Sequence, residues 1–290
     1  MMFFYKFLGR LPLSILYTLA TGVKWVFYYV IAYRKKVITQ NIAHAFPQLN
    51  SLQIKELSFK FYGYLTDQLV GFFYGVSISQ DEMLARVEMV NEHYISDFLQ
   101  KGTPVVLVAG HQGNWEWAIH RLALTNYAND IIYQKLSNKD FNDFTYAVRT
   151  KFEGITLLEK RESVILTRDR KHIPRAICLL SDQAPQRPET AYWTNFLHQQ
   201  TAFFTGVEKF AREYKYPVYY VELVRQKRGY YEMRYELLAD IPFENIPKGE
   251  IIERFAKKLE NSVLNYPDQY LWSHRRWKHQ KPDKLALKWD

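Results

Sequence analysis

The sequence predicts an α/β fold, in which a mixed, mostly parallel sheet is flanked by helices. From residue 104 onward, short apolar runs rich in β-branched residues alternate with segments of helical periodicity. The residues before them are helical and aromatic in pattern, and they begin with a long apolar stretch that predicts an N-terminal membrane-associated helix. At 290 residues without a long linker or internal repeat, the chain is long enough for one large domain with an N-terminal extension.

The N-terminal stretch from 11 to 33 is apolar except for Lys24. It ends in tyrosines followed by basic residues, Tyr28, Tyr29, Tyr33, Arg34, Lys35 and Lys36. Its length suits a helix that crosses a bilayer, and its aromatic and basic residues suit the headgroup region. Lys24 also fits a helix that lies in the interface or packs on the rest of the chain. We predict a membrane anchor at residues 1–36, spanning or interfacial, and a second domain at residues 37–290.

The remaining elements follow in order. A helix is predicted to begin at Ser51 as its N-cap and to reach Phe73, with an apolar stripe that either packs in the core or rests on lipid. Strands are predicted at 104–109, 131–134, 155–158, 176–181 and 217–224, with an antiparallel strand at 230–238. Further helices are predicted near 114–126, 140–152, 203–215 and 250–265.

The loop after the first of these strands carries the strongest chemical signal. The apolar run 105–109 stops at Gly110, His111 follows in the loop, and Glu116 lies in the first turn of the next helix. A neutral imidazole there can take a proton from a hydroxyl, while a carboxylate holds its tautomer and steadies the cation that forms. We predict His111 as a general base and Glu116 as the acid that orients it.

Neighbouring residues support this interpretation against two simpler ones. Gly113 permits close backbone approach, and the free amides of a helix N-terminus can hold an oxyanion. A structural histidine remains an alternative. A metal pair is disfavoured because His111 and Glu116 lack the HExxH spacing and no third ligand is evident, so no metal is predicted.

Polar residues at the ends of other elements complete a candidate site, since ligands of such sheets collect beyond the carboxyl ends of the strands. Asp182 and Gln183 directly follow an apolar strand; Asp182 binds a substrate hydroxyl, holds a basic partner or caps the loop. Arg149 either grips a phosphate or lies on a solvated helix face.

The net charge of +9 indicates an anionic partner. Charge alone is compatible with three kinds of partner: a nucleic acid, an anionic lipid surface or an acidic carrier protein. The run 270–278 interleaves aromatic rings with Arg275 and Arg276, a pattern that suits stacking on bases, binding of lipid headgroups or fastening of the chain end. The single cysteine, Cys178, lies in an apolar run and excludes an internal disulfide.

Four motifs together carry a resemblance: NIAHAFP at 41–47, HQGNWE at 111–116, SDQ at 181–183 and YPDQYLWSHRRWK at 266–278. In this order they resemble the late acyltransferases of bacterial lipid A biosynthesis, the lauroyl and myristoyl transferases of the lysophospholipid acyltransferase-like superfamily. The resemblance covers nearly the whole chain. The HX4E pair alone is less specific, because many glycerolipid acyltransferases share it. Where the family usually has a Phe-Phe-Gly turn, this chain has Phe196-Leu197-His198, which affects the acyl pocket or a loop near it.

The resemblance implies a glycerolipid acyltransferase-like fold and an enzyme of lipid A and lipopolysaccharide biosynthesis at the cell inner membrane, with residues 37–290 as its acyltransferase domain on the cytoplasmic side. It would move a fatty acyl group from acyl carrier protein, or from coenzyme A, to a hydroxyl of a lipid A precursor without a cofactor. The expected partners are acyl carrier protein, an anionic lipid acceptor and the membrane, with no nucleic acid.

His111 and Glu116 would then be catalytic. The expected substrate-binding residues are Asn114, Arg149, Asp182, Gln183, Arg275 and Arg276. Three alternatives stay open at this point: a lysophospholipid or aminolipid O-acyltransferase with the same site, a thioesterase in which water replaces the acceptor, and a basic nucleic-acid-binding protein.

Overall fold

The computed structural model describes residues 7 and 9–286, so residues 1–6 and 8 of the predicted anchor lie outside the described residues. The strands are β1 (Val87–Met89), β2 (Val105–Ala109), β3 (Ala128–Tyr133), β4 (Ile155–Glu159), β5 (Arg175–Leu180), β6 (Tyr192–Phe196), β7 (Gln199–Phe203), β8 (Val218–Lys227) and β9 (Tyr230–Ala239). Within this part of the chain, seven strands form one sheet in the order β1-β9-β8-β2-β5-β3-β4. Strands β8 and β9 pair antiparallel, and the other neighbours in this sheet pair parallel. The predicted α/β class with a mixed, mostly parallel sheet is confirmed.

Helices flank this sheet. They are α1 (Leu13–Trp25), α2 (Lys35–Ala45), α3 (Ser51–Tyr74), α4 (Gln80–Arg86), α5 (His93–Gln100), α6 (Trp115–Ala123), α7 (Lys139–Arg149), α8 (Ser163–Asp169), α9 (Gly206–Tyr214) and α10 (Glu250–Asn265), with short 3-10 turns at Pro188–Thr190 and Pro267–Gln269. Helix α1 continues directly into a π-helical segment, Val26–Val30. The N-cap of α3 is Asn50, whose side chain accepts from the N–H groups of Leu52 and Gln53, so the prediction of Ser51 as the cap is wrong by one residue.

Strand β2 lies near the middle of the sheet and separates two apolar layers. Because side chains alternate along a strand, Val106 and Val108 face a layer that includes Leu259 of α10. Leu107 faces the opposite layer, which includes Trp117 of α6. Both layers are buried, as expected for a parallel sheet that is covered on its two faces.

The topology brings two polar loops together. Strands β2 and β5 are parallel neighbours with Ala109 opposite Leu180, and the N–H of Ser181 donates to the carbonyl of Ala109 at 3.1 Å. The segments that leave these strands therefore start side by side at the carboxyl edge of the sheet. This adjacency places His111 beside Asp182.

The Phe196-Leu197-His198 departure lies in the turn of the β6–β7 hairpin. Leu197 and His198 both have left-handed backbone angles, with φ of 50° and 64°, a geometry that favours glycine. The N–H of Leu197 donates to Glu260 of α10 at 2.7 Å. The difference from the family pattern thus affects a hairpin turn packed on α10.

Helix α1 lies along α3. Its buried side chains include Leu13, Leu16 and Ala20, and Tyr28 of the π-helical segment is also buried, with its ring against Tyr62 of α3. By length and composition, the 18 residues of Leu13–Val30 are sufficient to cross a membrane, and 22% of this window is buried inside the protein. The division of the chain at residues 36 and 37 stays a prediction.

Candidate active site

His111 is held at two points by Asp182. Its Nδ1 lies 2.6 Å from Asp182 Oδ1, and its backbone N–H donates to Oδ2 at 3.0 Å. The Asp182 side chain is only 2% exposed. A carboxylate in this position accepts a hydrogen bond from the Nδ1–H group and leaves a lone pair on Nε2, which is the tautomer that a general base requires.

The charge state of Asp182 supports this arrangement. Burial would by itself raise the pKa of the carboxyl, but the charge and the two hydrogen bonds of His111 lower it more, so that the pKa lies below its ordinary value. Asp182 is therefore ionised at neutral pH and acts as an acceptor for the imidazole.

Two glycines set the path of the loop that carries His111. A Cβ on Gly110 would lie 2.5 Å from Leu259 Cδ1. Gly113 has a φ of +55°, and a Cβ there would lie 2.4 Å from the carbonyl oxygen of Leu223. The side-chain amide of Gln68 donates to the Gly113 carbonyl at 2.5 Å and connects α3 to this loop. The loop therefore tolerates a side chain at neither glycine without a shift.

Glu116 does not orient His111, and this expectation from the sequence is wrong. Its carboxylate instead pairs with Arg149, at 2.9 Å to Nε and 2.7 Å to Nη2. Glu116 lies in the first turn of α6 and is directed at the last residue of α7, whereas the parallel pairing of β2 and β5 brings Asp182 to the imidazole. The catalytic importance of Glu116 stays a prediction.

The Glu116–Arg149 pair is mostly enclosed. Burial would raise the pKa of the Glu116 carboxyl, but the hydrogen bonds and charge of Arg149 lower it below its ordinary value. The pair uses Nε and Nη2 of Arg149 and leaves Nη1 for another acceptor. Trp115 connects this pair to His111, because its indole N–H donates to Glu116 at 3.1 Å and its ring meets the His111 ring edge-on at 5.2 Å.

A cavity of about 580 Å³ opens at His111. Its polar end includes His111, Gln183 and Arg149. Much of its remaining wall is apolar and comes from β2, β3, β5 and α6, with Leu107, Ala118, Ile119, Leu122, Ile131 and Cys178 among the lining residues. Such a space suits an apolar chain whose reactive end lies at the histidine.

Gln183 and Asn114 have different surroundings. The amide nitrogen of Gln183 lies 3.3 Å from His111 Nε2, so it faces the lone pair that a substrate hydroxyl would use. Asn114 is fully buried and caps α6, where its side-chain oxygen accepts from the N–H of Trp117 at 3.2 Å. Asn114 thus orders the His111 loop by capping the helix that follows it, and its side chain is not exposed.

The two arginines of the C-terminal run are also unlike each other. Arg276 is 3% exposed, donates to the carbonyl of Ala202 at 2.8 Å and stacks over Phe203 at 4.5 Å. Burial raises the pKa of Asp182, and the charge of Arg276 helps to lower it, after the larger lowering influence of His111. Arg275 is exposed. Buried Arg276 fastens the chain end and supports the site indirectly, while the predicted substrate contacts of Arg275 stay a prediction.

Sequence reasoning missed the residues that hold this run in place. The side chain of Asn41 donates to the carbonyls of Trp272 and His274, each at 2.8 Å. The ring of His274 accepts from the N–H of Ala184 at 3.0 Å. The first and last of the four motifs therefore meet behind the SDQ loop. Their joint presence in the sequence is the signal that points to these contacts.

Metal ligation has no support from the part of the chain that the structure describes, residues 7 and 9–286. There, no three His, Cys, Asp or Glu side chains gather in a way that could hold a metal ion.

Tyr270 and Trp272, whose rings could have stacked on bases, are buried. Most of the C-terminal run is thus packed into the domain, while Arg275 and Lys278 are exposed.

Fold and site together define an α/β protein with a His–Asp pair at the polar end of an apolar cavity. Residues 1–279 match the family of bacterial lipid A biosynthesis acyltransferases, and the chain belongs to this family. The family predicted from the four motifs is thereby confirmed, and membership makes the protein an acyltransferase of lipid A biosynthesis. Members are typically membrane-associated. A comparison with curated proteins returned no match.

Proposed function

We propose that the protein transfers a fatty acyl group from a thioester, acyl carrier protein or coenzyme A, to a hydroxyl of a lipid A precursor at the cytoplasmic face of the inner membrane. The observation that carries this proposal is the His111–Asp182 pair at the polar end of the apolar cavity. The pair is suited to activating a hydroxyl, and the cavity is suited to an acyl chain.

The reaction begins when the acceptor hydroxyl donates to His111 Nε2 and replaces the Gln183 amide there. His111 takes the proton as the hydroxyl oxygen attacks the thioester carbonyl, and Asp182 stabilises the imidazolium. The tetrahedral oxyanion then collapses, the carbon–sulfur bond breaks, and the leaving thiolate receives the proton from His111. A thiolate leaves readily, so no covalent enzyme intermediate is needed.

Donors around the loop would stabilise the oxyanion. The Gln183 amide, once displaced from Nε2, is close to the reacting atoms, and the first-turn amides of α6 are further candidates. Arg149 would use its remaining Nη1 to bind a phosphate of the acceptor. Glu116 would hold that guanidinium at the cavity wall, so we assign it a positioning role.

The net charge of +9 supports both expected partners, because acyl carrier protein and the lipid acceptor are acidic. Long-range attraction of this kind raises association rates and weakens with salt. We therefore expect the apparent KM for an acyl carrier protein donor to rise with ionic strength more than the KM for a coenzyme A donor.

The test measures transfer of a labelled acyl group to a lipid A precursor by purified wild type and H111A. We expect a loss of about 10²–10⁴-fold in kcat for H111A. H172A is a matched control, because His172 is exposed and lies just before β5, at the opposite edge of the sheet. Transfer by H111A at the wild-type rate would overturn the mechanism.

The acceptor is tested in cells. A strain lacking the gene should contain a lipid A species that lacks one secondary acyl chain, as measured by mass spectrometry of its total lipids. Loss of an acyl chain from a phospholipid or an aminolipid, with unchanged lipid A, would instead favour the alternative acceptor.

A further inference from the structure

Helix α1 and its π-helical extension have two different faces. The face away from α3 is open and mostly apolar: Ile15, Leu19, Val23, Val26 and Val30 are exposed there, and the smaller polar residues Ser14 and Thr18 are exposed beside them. The spacing of the apolar side chains, three or four residues, puts them in one stripe along the helix. Trp25 and Tyr29 are also exposed and stack on each other at 5.2 Å. Such a stripe with aromatic rings is typical of a helix in contact with lipid.

A polar clasp fixes the other face to the domain. Arg228, in the turn between β8 and β9, pairs with the buried carboxylate of Asp67 on α3 at 2.6 Å. The same guanidinium donates to the carbonyl of Tyr17 at 3.0 Å and to the hydroxyl of Thr21 at 3.2 Å. Helix α1 is thereby joined at its middle to a charged pair that belongs to the folded domain.

The contact between α1 and α3 continues along most of α1. Near its beginning, Ser77, which follows α3, donates to the carbonyl of Gly9. Near its end, Tyr28 meets the Tyr62 ring edge-on at 5.3 Å. The two helices therefore run antiparallel, side by side. Helix α3 reaches the active-site loop in turn, through the bond from Gln68 to the carbonyl of Gly113.

This packing is incompatible with a spanning helix. The 18 residues of Leu13–Val30 extend about 27 Å, close to the thickness of the hydrocarbon core. If they crossed it, Asp67, Arg228 and the α3 segment beside the active-site loop would be carried into hydrocarbon. Charged groups there are costly, and the active-site loop would lose its access to water-soluble donors.

We infer that α1 lies in the plane of one leaflet. Its apolar stripe is then in the acyl-chain region, and the face that Arg228 binds is directed toward the domain. This inference rests on the membrane location proposed above. The basic residues Arg10 and Lys36, exposed at the two ends of the segment, would lie at anionic headgroups of the same leaflet. An anionic bilayer is thus the partner that the stripe and its ends fit.

Accessibility of two single cysteines tests the topology. S14C and K36C place a thiol at exposed positions near the two ends of the segment. The wild-type chain gives the background, because its one cysteine, Cys178, lies within β5. A membrane-impermeant maleimide is applied to spheroplasts and to inside-out vesicles. We expect both new thiols to react from the same side of the membrane, and reaction from opposite sides would overturn the in-plane arrangement while leaving the membrane location intact.

A binding measurement separates this inference from the proposed location. Sedimentation with vesicles of phosphatidylethanolamine and phosphatidylglycerol compares wild type with the triple variant I15S/L19S/V23S. We expect at least about tenfold weaker binding for the triple variant. L52S, at an exposed leucine of the α3 N-terminus, is the control and should bind as wild type does. Equal binding by the triple variant would overturn the role of the stripe, and a wild-type chain that neither sediments nor enters the membrane fraction would overturn the membrane location as well.

Discussion

The carboxylate of Asp182 accepts hydrogen bonds from both the ring and the backbone of His111, at 2.6 Å from Nδ1 and 3.0 Å from the amide nitrogen. The ring is therefore fixed in tautomer and direction, and the loop is fixed at the same time. Glu116, the acid of the HX4E motif, is committed to Arg149. The motif thus contributes the histidine and an acid that binds Arg149, while the acid that binds the histidine comes from the loop after a different strand.

The first prediction separates the two acids. In D182N, an amide cannot accept from both the ring and the backbone N–H of His111, so the tautomer and direction of the ring are lost. We expect kcat to fall by about 10²–10⁴-fold, because the base is no longer correctly protonated. In E116Q, the pair of His111 with Asp182 is intact, and we expect mainly a rise in KM for the acceptor. Steady-state kinetics with the acceptor varied makes this comparison, and an equal loss of kcat with unchanged KM in E116Q would contradict it.

A second prediction concerns the stability of the Glu116–Arg149 pair. Removing one partner leaves the other charge buried without a counterion, at a cost of about 3–5 kcal/mol. Removing both, in E116Q/R149M, should cost less than the sum of the single changes. Urea unfolding of the four proteins measures this coupling. The exposed pair of Lys139 and Asp143 is the control, and its coupling should be below about 1 kcal/mol; similar coupling in both cycles would refute the buried pair's importance.

A third prediction concerns the active-site loop. In G113A, the new methyl group would meet the carbonyl of Leu223, and alanine would be held at a φ of +55°. We expect a loss of about 1–3 kcal/mol in the free energy of unfolding and a lower kcat. G206A is the control for stability, because a Cβ there meets nothing within 4 Å. Unfolding curves for G113A that match those of wild type would mean that the loop adapts without cost.

The sequence was sufficient for the parts of the fold that depend on local pattern. The buried runs of the parallel strands and the helical periods of α6 and α10 are long enough to recognise, whereas three-residue β1 and the seven-residue helices α4 and α8 are too short to show a period. The β6–β7 hairpin was missed because its turn residues, Leu197 and His198, are unusual for left-handed positions.

The candidate site, like the fold, has parts that local sequence pattern predicts and parts that it does not. The strand, glycine and histidine around Gly110 predicted that His111 lies in the loop after β2, because each step is local; its role as a base stays a prediction. The sequence suggested Glu116, five residues away, as the acid that binds His111, although Asp182, 71 residues away, occupies that position. Only the pairing of β2 with β5 brings Asp182 there, and strand order is not readable from either segment alone.

The last prediction concerns the pH dependence of stability and involves His274. Burial is the main cause that lowers the pKa of this imidazole to about 4, with nearby Arg276 contributing. The ring is therefore neutral in the folded protein and accepts from the N–H of Ala184. In the unfolded chain the same group has a pKa of about 6.5. As the pH falls from about 6.5 to about 4, the unfolded chain binds a proton that the folded protein does not, so the free energy of unfolding decreases.

We expect H274Q to remove this contribution, because a glutamine oxygen can still accept from Ala184 but does not titrate. The measurement is the free energy of unfolding in urea between pH 7 and pH 5. This window lies above the ordinary pKa of Asp182 and Glu116. Because the pKa of both carboxyls is lowered in the folded protein, their contribution to stability is lost only at more acidic pH. Wild type should lose more stability than H274Q across this window. H172Q, at an exposed histidine, should keep the wild-type slope. Equal slopes for wild type and H274Q would show that His274 is protonated as readily in the folded protein as in the unfolded chain, and that the C-terminal run does not hold it neutral.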